Sequence, residues 1–185
     1  MVYKQLCIAL ITVTLFAGCA VDPKKEDLAN YVNHDMLFIA QIEVEAFERY
    51  AAVTGKNYTT DQAVYNALRD EVIPIYERFS HLLNQIRIED EEVARAHGHY
   101  LKGSKKILKG FKLKLHGIAG KDEAVIVLGN KRIDAGIREN LKWREQVIAL
   151  KEARGLKYAN REMSAFEKFF QSMDEVILEA GPTAN

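Results

Sequence analysis

Apolar residues recur at intervals of three and four along nearly the whole chain, the spacing that lines one face of an α-helix, and no stretch keeps the strict alternation of a half-buried strand. Five helical segments follow from that period and its punctuation. The first, over about 25–53, places Leu28, Val32, Ile39, Ile42, Ala46, Tyr50 and Val53 on one stripe, which Asp35 interrupts. Gly55 stands where a left-handed C-cap is needed. Thr59, with Gln62 three residues on, has the pattern of a capping box and opens a second helix to about 88, with a seam of Val64, Leu68, Val72, Ile75, Phe79, Leu82 and Ile86. Pro74 should kink it, because proline lacks a backbone donor and crowds the carbonyl of Asp70. Glu89, Asp90, Glu91 and Glu92 favour the start of a third helix that ends near Gly120. Asp122 can cap a fourth running to about 154, and Asn160 a fifth over 160–180 with Met163, Phe166, Phe170, Met173 and Ile177 on its apolar face. The expected fold is all-α, a four- or five-helix bundle of long antiparallel helices.

Small residues add a second pattern. Ala96, Gly103, Gly110 and Gly117 recur every seven residues on the third helix, and Gly129 and Gly136 repeat that interval on the fourth. Each helix-interior glycine costs about 1 kcal/mol relative to alanine, so a close approach of two backbones is the expected return. A hairpin over about 90–154 would bring Gly117 against Gly129 and Gly110 against Gly136, each pair summing to 246, with Trp143 over Gly103.

The first residues have a different character. Lys4 precedes an apolar run over 6–16, shorter than the ~20 residues a membrane-spanning helix needs, and the run closes on Phe16, Ala17, Gly18 and Cys19. This segment resembles the lipobox signal peptide of bacterial lipoproteins. The resemblance implies cleavage before Cys19, acylation of its thiol and usually of the new amino terminus, and attachment to the cell envelope. Two or three acyl chains at ~0.8 kcal/mol per buried methylene give a stable anchor. Ala20 is not the aspartate of an inner-membrane retention signal, so the periplasmic face of the outer membrane is the favoured site in a two-membrane host. The resulting organisation is a signal peptide over 1–18, a lipidated tether over 19–27, a helical domain over 28–181 and a short tail over 182–185.

Composition removes several function classes. Apolar residues make up 48% and charged residues 28%, typical of a folded domain, and the 26 basic side chains balance the 26 acidic ones, so no global field favours nucleic acid. The two cysteines are Cys7 within the leader and Cys19 at its end, which leaves no disulfide or thiolate chemistry for the mature part. The five histidines, His34, His81, His97, His99 and His116, lack the Glu-x-x-His spacing of di-iron bundles, and His97 and His99 point about 200 degrees apart on a helix, so they read as surface or bundle-edge side chains. No nucleotide-binding, serine-hydrolase or zinc-protease signature is present, and no cofactor or metal is expected.

Two features carry functional expectations. Residues 102–114 hold six lysines and no acid, interleaved with Leu101, Ile107, Leu108, Phe111 and Leu115. Such a basic amphipathic helix can meet anionic lipid or an acidic partner, through Lys102, Lys105, Lys106, Lys109 and Lys112, or can simply be solvated with its lysines paired to acids such as Glu89 to Glu92 or Glu139. His34 and Asp35, beside a core stripe, are expected as a buried polar pair, either a structural network or the floor of a pocket. The first feature suggests a non-enzymatic envelope lipoprotein docking on a protein partner or an anionic envelope polymer or surface. The second suggests a bundle that binds a small ligand or cofactor, with catalysis open to it.

Overall fold

The computed structural model describes residues 22–156, so Cys19 with its leader and the expected helix over 160–180 lie outside the described residues. The rest is all-α, and four helical columns run up, down, up and down.

The first column comprises α1 (Pro23–Asn30) and α2 (Met36–Ala51), joined through a π-helical turn at Tyr31–Asp35. It starts inside the expected tether, because Asp22 caps it, accepting from the Lys24 amide at 3.1 Å, and Pro23 sits in the first turn, where its missing donor costs nothing. The second column comprises α3 (Asp61–Ala67) and α4 (Ile73–Leu83), again joined through a π-helical turn, Leu68–Val72. Its cap is Thr60 rather than Thr59, accepting from the Ala63 amide at 3.2 Å, and it ends at Leu83, short of the expected 88. The break expected at Pro74 takes the form of this wider turn, which places the proline within the first turn of α4, where a donor is dispensable.

The third and fourth columns are α5 (Glu91–Gly120) and α6 (Glu123–Ala153), joined by Lys121 and Asp122 alone. Lys121, one residue past Gly120, takes the left-handed conformation (φ 52°) that glycine adopts most readily, and the Asp122 amide returns to the Gly117 carbonyl at 2.8 Å. The Asp122 side chain then caps α6, accepting from the Val125 amide at 3.1 Å. The glycine-striped hairpin therefore forms, but in a register one heptad from the expected one. Gly103 meets Gly136 and Gly110 meets Gly129, each pair summing to 239, while Gly117 packs on the start of α6 at Asp122 and Ile126. A seven-residue repeat satisfies either register equally, and the two-residue turn decides between them. Contact is between backbones: a Cβ on Gly136 would lie 2.7 Å from the Gly103 carbonyl oxygen, and one on Gly129 2.9 Å from that of Gly110.

The core lies where the columns converge. Phe47, Tyr76, Phe79, Tyr100, Phe111 and Trp143 are buried and meet mostly edge-on, as the ring quadrupoles favour. Trp143, released from Gly103 by the register shift, stacks on Tyr100 with ring centroids 4.0 Å apart. One end of the bundle is tied by Arg154, whose guanidinium reaches the Lys24 carbonyl at 2.6 Å, Asp90 at 3.0 Å and Glu92 at 2.7 Å, joining the starts of α1 and α5 to the end of α6.

Candidate functional site

The structure places two polar constellations in this bundle, one inside and one on the α5–α6 seam. The inner one does not involve the residues expected there. His34 and Asp35 sit on the π-helical turn, and both are exposed. That turn carries the buried stripe from Val32 directly to Met36 and leaves Asn33, His34 and Asp35 facing outward, so the buried polar pair expected there does not form.

The buried acid is Glu43, two turns further on, with no exposed surface. Its carboxyl accepts from Tyr76 Oη at 2.8 Å, from Asn140 Nδ2 at 3.2 Å and, more tightly, from Tyr100 Oη. Desolvation pushes its pKa up to about 7, with the donors from Tyr100, Tyr76 and Asn140 pulling the other way. Asn140 reaches Glu43 because of a glycine: its Oδ1 lies 1.9 Å from where a Cβ on Gly103 would stand. A second chain of bonds starts at Trp143, whose Nε1 donates to Tyr31 Oη at 2.8 Å; Tyr31 donates to His97 Nδ1 at 3.1 Å, and His97 Nε2 donates to the Leu83 carbonyl at 3.2 Å. The carbonyl only accepts, which fixes the tautomer and every proton in the chain. Burial lowers the His97 pKa to about 4 and keeps the ring neutral, so His97 belongs to the core rather than the bundle edge. These groups bridge all four columns and are mostly buried, which is the character of a structural network. Sequence periodicity held a signal for Glu43, since it follows Ile39 by four residues and precedes Ala46 by three on the same face.

The outer constellation contains the lysines of α5. Lys102 and Lys106 face the α6 seam, where their Nζ atoms lie 3.1 and 2.8 Å from Glu139 Oε1. Lys142 of α6 approaches the same oxygen at 3.9 Å, and His99 Nδ1 meets Glu139 Oε2 at 3.0 Å. The Glu139 side chain is only 7% exposed, and Lys106 first, then His99 and Lys102, hold its carboxyl well below the usual carboxylate range. Lys112 is taken by Glu77 of α4 at 2.6 Å. Lys105 and Lys109 are exposed and have no ion-pair partner among the described residues. Lys114 closes the run but points inward, donating to Tyr50 Oη at 2.8 Å above the tyrosine ring, and desolvation lowers its pKa to about 8. The expected basic face is thus divided: two lysines are outward and unpaired, two converge with Lys142 on one carboxylate, and one braces α4. The pairing of α5 lysines with Glu139 is as the sequence suggests, whereas Glu89 to Glu92 take none of them; the convergence of His99 and Lys142 on the same carboxylate depends on the hairpin register and is not visible in the sequence.

Among the described residues no group of three or more His, Cys, Asp or Glu side chains is arranged to hold a metal ion, and no helix is long and apolar enough to cross a membrane. No protein-family model, curated protein or solved structure matches the chain.

Proposed function

We propose that the protein is a lipid-anchored component of a bacterial envelope that acts by binding, applying the basic side of α5 to an anionic envelope surface. The observation that carries this reading is the lysine arrangement on α5: Lys102, Lys105, Lys106 and Lys109 follow one another along the helix with Glu139 the one acid they meet among the described residues. Each lysine near an anionic membrane contributes about 1 kcal/mol, within a Debye length of roughly 8 Å at physiological salt.

Anchoring through Cys19 also sets a posture. Asp22, the first described residue, follows Cys19 by three positions, a reach of about 10 Å at most. Lys105 lies fourteen residues beyond Glu91, the start of α5 at the anchored end of the bundle, which is about 21 Å along a helix. An upright bundle would hold that lysine outside the range of the surface field, so the docked molecule lies with its long axis along the membrane. The anchor makes this second, electrostatic contact intramolecular, and it gains from high effective concentration.

The test is co-sedimentation of the full chain with vesicles at low salt, comparing phosphatidylglycerol-containing with purely zwitterionic membranes. Lys105→Glu with Lys109→Glu should weaken binding to the anionic vesicles by up to about a thousandfold, since it removes two attractive charges and adds two repulsive ones at about 1 kcal/mol each. Undiminished binding by this variant would remove the basic face from the account. Capture of a specific envelope protein by crosslinking, lost in the same variant, would instead make that protein the surface that α5 meets.

A further inference from the structure

The seam around Glu139 holds more positive charge than its carboxylate balances. Oε1 of one nearly buried carboxylate draws Lys106 at 2.8 Å, Lys102 at 3.1 Å and Lys142 at 3.9 Å, while Oε2 is occupied by His99 at 3.0 Å. Three ammonium charges against one carboxylate leave an excess of two. Gathering three long, flexible side chains against their mutual repulsion costs more than one carboxylate needs for its own neutralisation. Lys102 and Lys142 remain 59% and 55% exposed, so the ammonium donors not spent on Glu139 open to solvent on one side of the hairpin. The scaffold beneath is rigid, because α5 and α6 are in backbone contact there through Gly103 and Gly136.

We propose that Lys102, Lys106 and Lys142, gathered by Glu139 at the α5–α6 seam, form a binding site for a phosphate group. A phosphate dianion matches the excess of two charges, and its tetrahedral oxygens can accept from three ammonium groups at once, where lysine serves as a point charge. Glu139 stays at the base of the site and keeps the three side chains convergent in the absence of ligand. The inference deepens the docking reading, and rests on it only for the source of the phosphate: a phosphomonoester lipid headgroup on the membrane, or a soluble phosphate.

The experiment titrates the full chain with inorganic phosphate at low ionic strength, against chloride at equal ionic strength, following lysine side-chain NMR signals. Saturable shifts at Lys102, Lys106 and Lys142 are expected. The triple variant Lys102→Gln, Lys106→Gln, Lys142→Gln should lower phosphate affinity at least tenfold, and Lys142→Gln alone, which leaves the two shorter ion pairs in place, severalfold. A control triple of equal net charge at exposed lysines that do not meet Glu139, Lys24→Gln, Lys121→Gln, Lys131→Gln, should change it less than twofold. Absence of a saturable response, or equal losses in the two triples, would overturn the site. A parallel arm uses phosphatidic acid vesicles competed with free phosphate. Phosphate binding with no vesicle binding keeps the site, assigns it a soluble ligand and removes the docking reading. Vesicle binding that survives in the seam triple, with no phosphate response, removes the site and keeps the docking reading.

Discussion

The interior shifts both Glu43 and His97 toward their neutral forms, and their contributions to stability run in opposite directions with pH. Glu43 has its folded pKa raised to about 7 from 4.5, so the folded state keeps a proton that the unfolded chain gives up, and stability falls as pH rises from 4.5 to 7. His97 has its folded pKa lowered to about 4 from 6.5, so stability falls as pH drops from 6.5 to 4. Each shift corresponds to roughly 3 kcal/mol at 1.36 kcal/mol per unit, and between pH 4.5 and 6.5 the two slopes oppose each other. Glu43→Gln keeps the shape and removes the charge. It should therefore gain on the wild type steadily from pH 5 to pH 8, by about 2–3 kcal/mol over the range, in urea unfolding at a series of pH values. A gap independent of pH would mean that Glu43 titrates normally. Glu43→Ala, which leaves a cavity and strands the hydroxyls of Tyr76 and Tyr100, should cost about 2–5 kcal/mol at pH 5 and less as pH rises, because it too removes the titrating carboxyl.

At the scale of elements, the hairpin separates glycines needed for space from glycines that are not. A Cβ on Gly110 would lie 2.6 Å from Ile133 Cγ1 and 2.7 Å from the Gly129 carbonyl oxygen, and one on Gly136 2.4 Å from Ile107 Cγ1. Gly98 and Gly120 have nothing within 4 Å. Gly110→Ala and Gly136→Ala should each destabilise by about 1–3 kcal/mol through forced separation of α5 and α6, whereas Gly98→Ala should stabilise by up to about 1 kcal/mol through helix propensity. Thermal unfolding of the single variants distinguishes them, and equal effects at Gly98 and Gly110 would contradict the backbone contact. Lys121→Gly should gain a few tenths to about 1 kcal/mol, because it relieves a left-handed lysine. The sequence made the hairpin legible through its small-residue heptads, yet left its register open, since a shift of seven keeps glycine against glycine. The π-helical turns were not legible either: a single inserted residue alters the phase of a stripe without leaving a composition signal. This is why the stripe points to Asp35 as the polar residue beside the core, whereas Glu43 is the acid of this helix that the packed bundle buries.

For the whole molecule, the all-α architecture followed from period, caps and the two-residue turn, and the columns lie in the order that short connections require. The binding side was legible in part. The lysine run of α5 is a property of composition, but its division into outward Lys105 and Lys109, braced Lys112 and the gathered Lys102 and Lys106 depends on which acids α4 and α6 bring near, information that only the packed bundle contains. Binding through that side should weaken steeply with salt, as contacts between exposed charges do, and raising the ionic strength from 50 to 300 mM should release most of the protein from anionic vesicles. The reading as an envelope component rests at last on the residue that resembles a lipobox cysteine. Mass spectrometry of the amino-terminal peptide, taken from chain expressed in a bacterium and recovered from its membranes, tests this most directly. The account predicts a chain beginning at Cys19 that carries two or three acyl chains; an unmodified Cys19 thiol on a soluble product would contradict it.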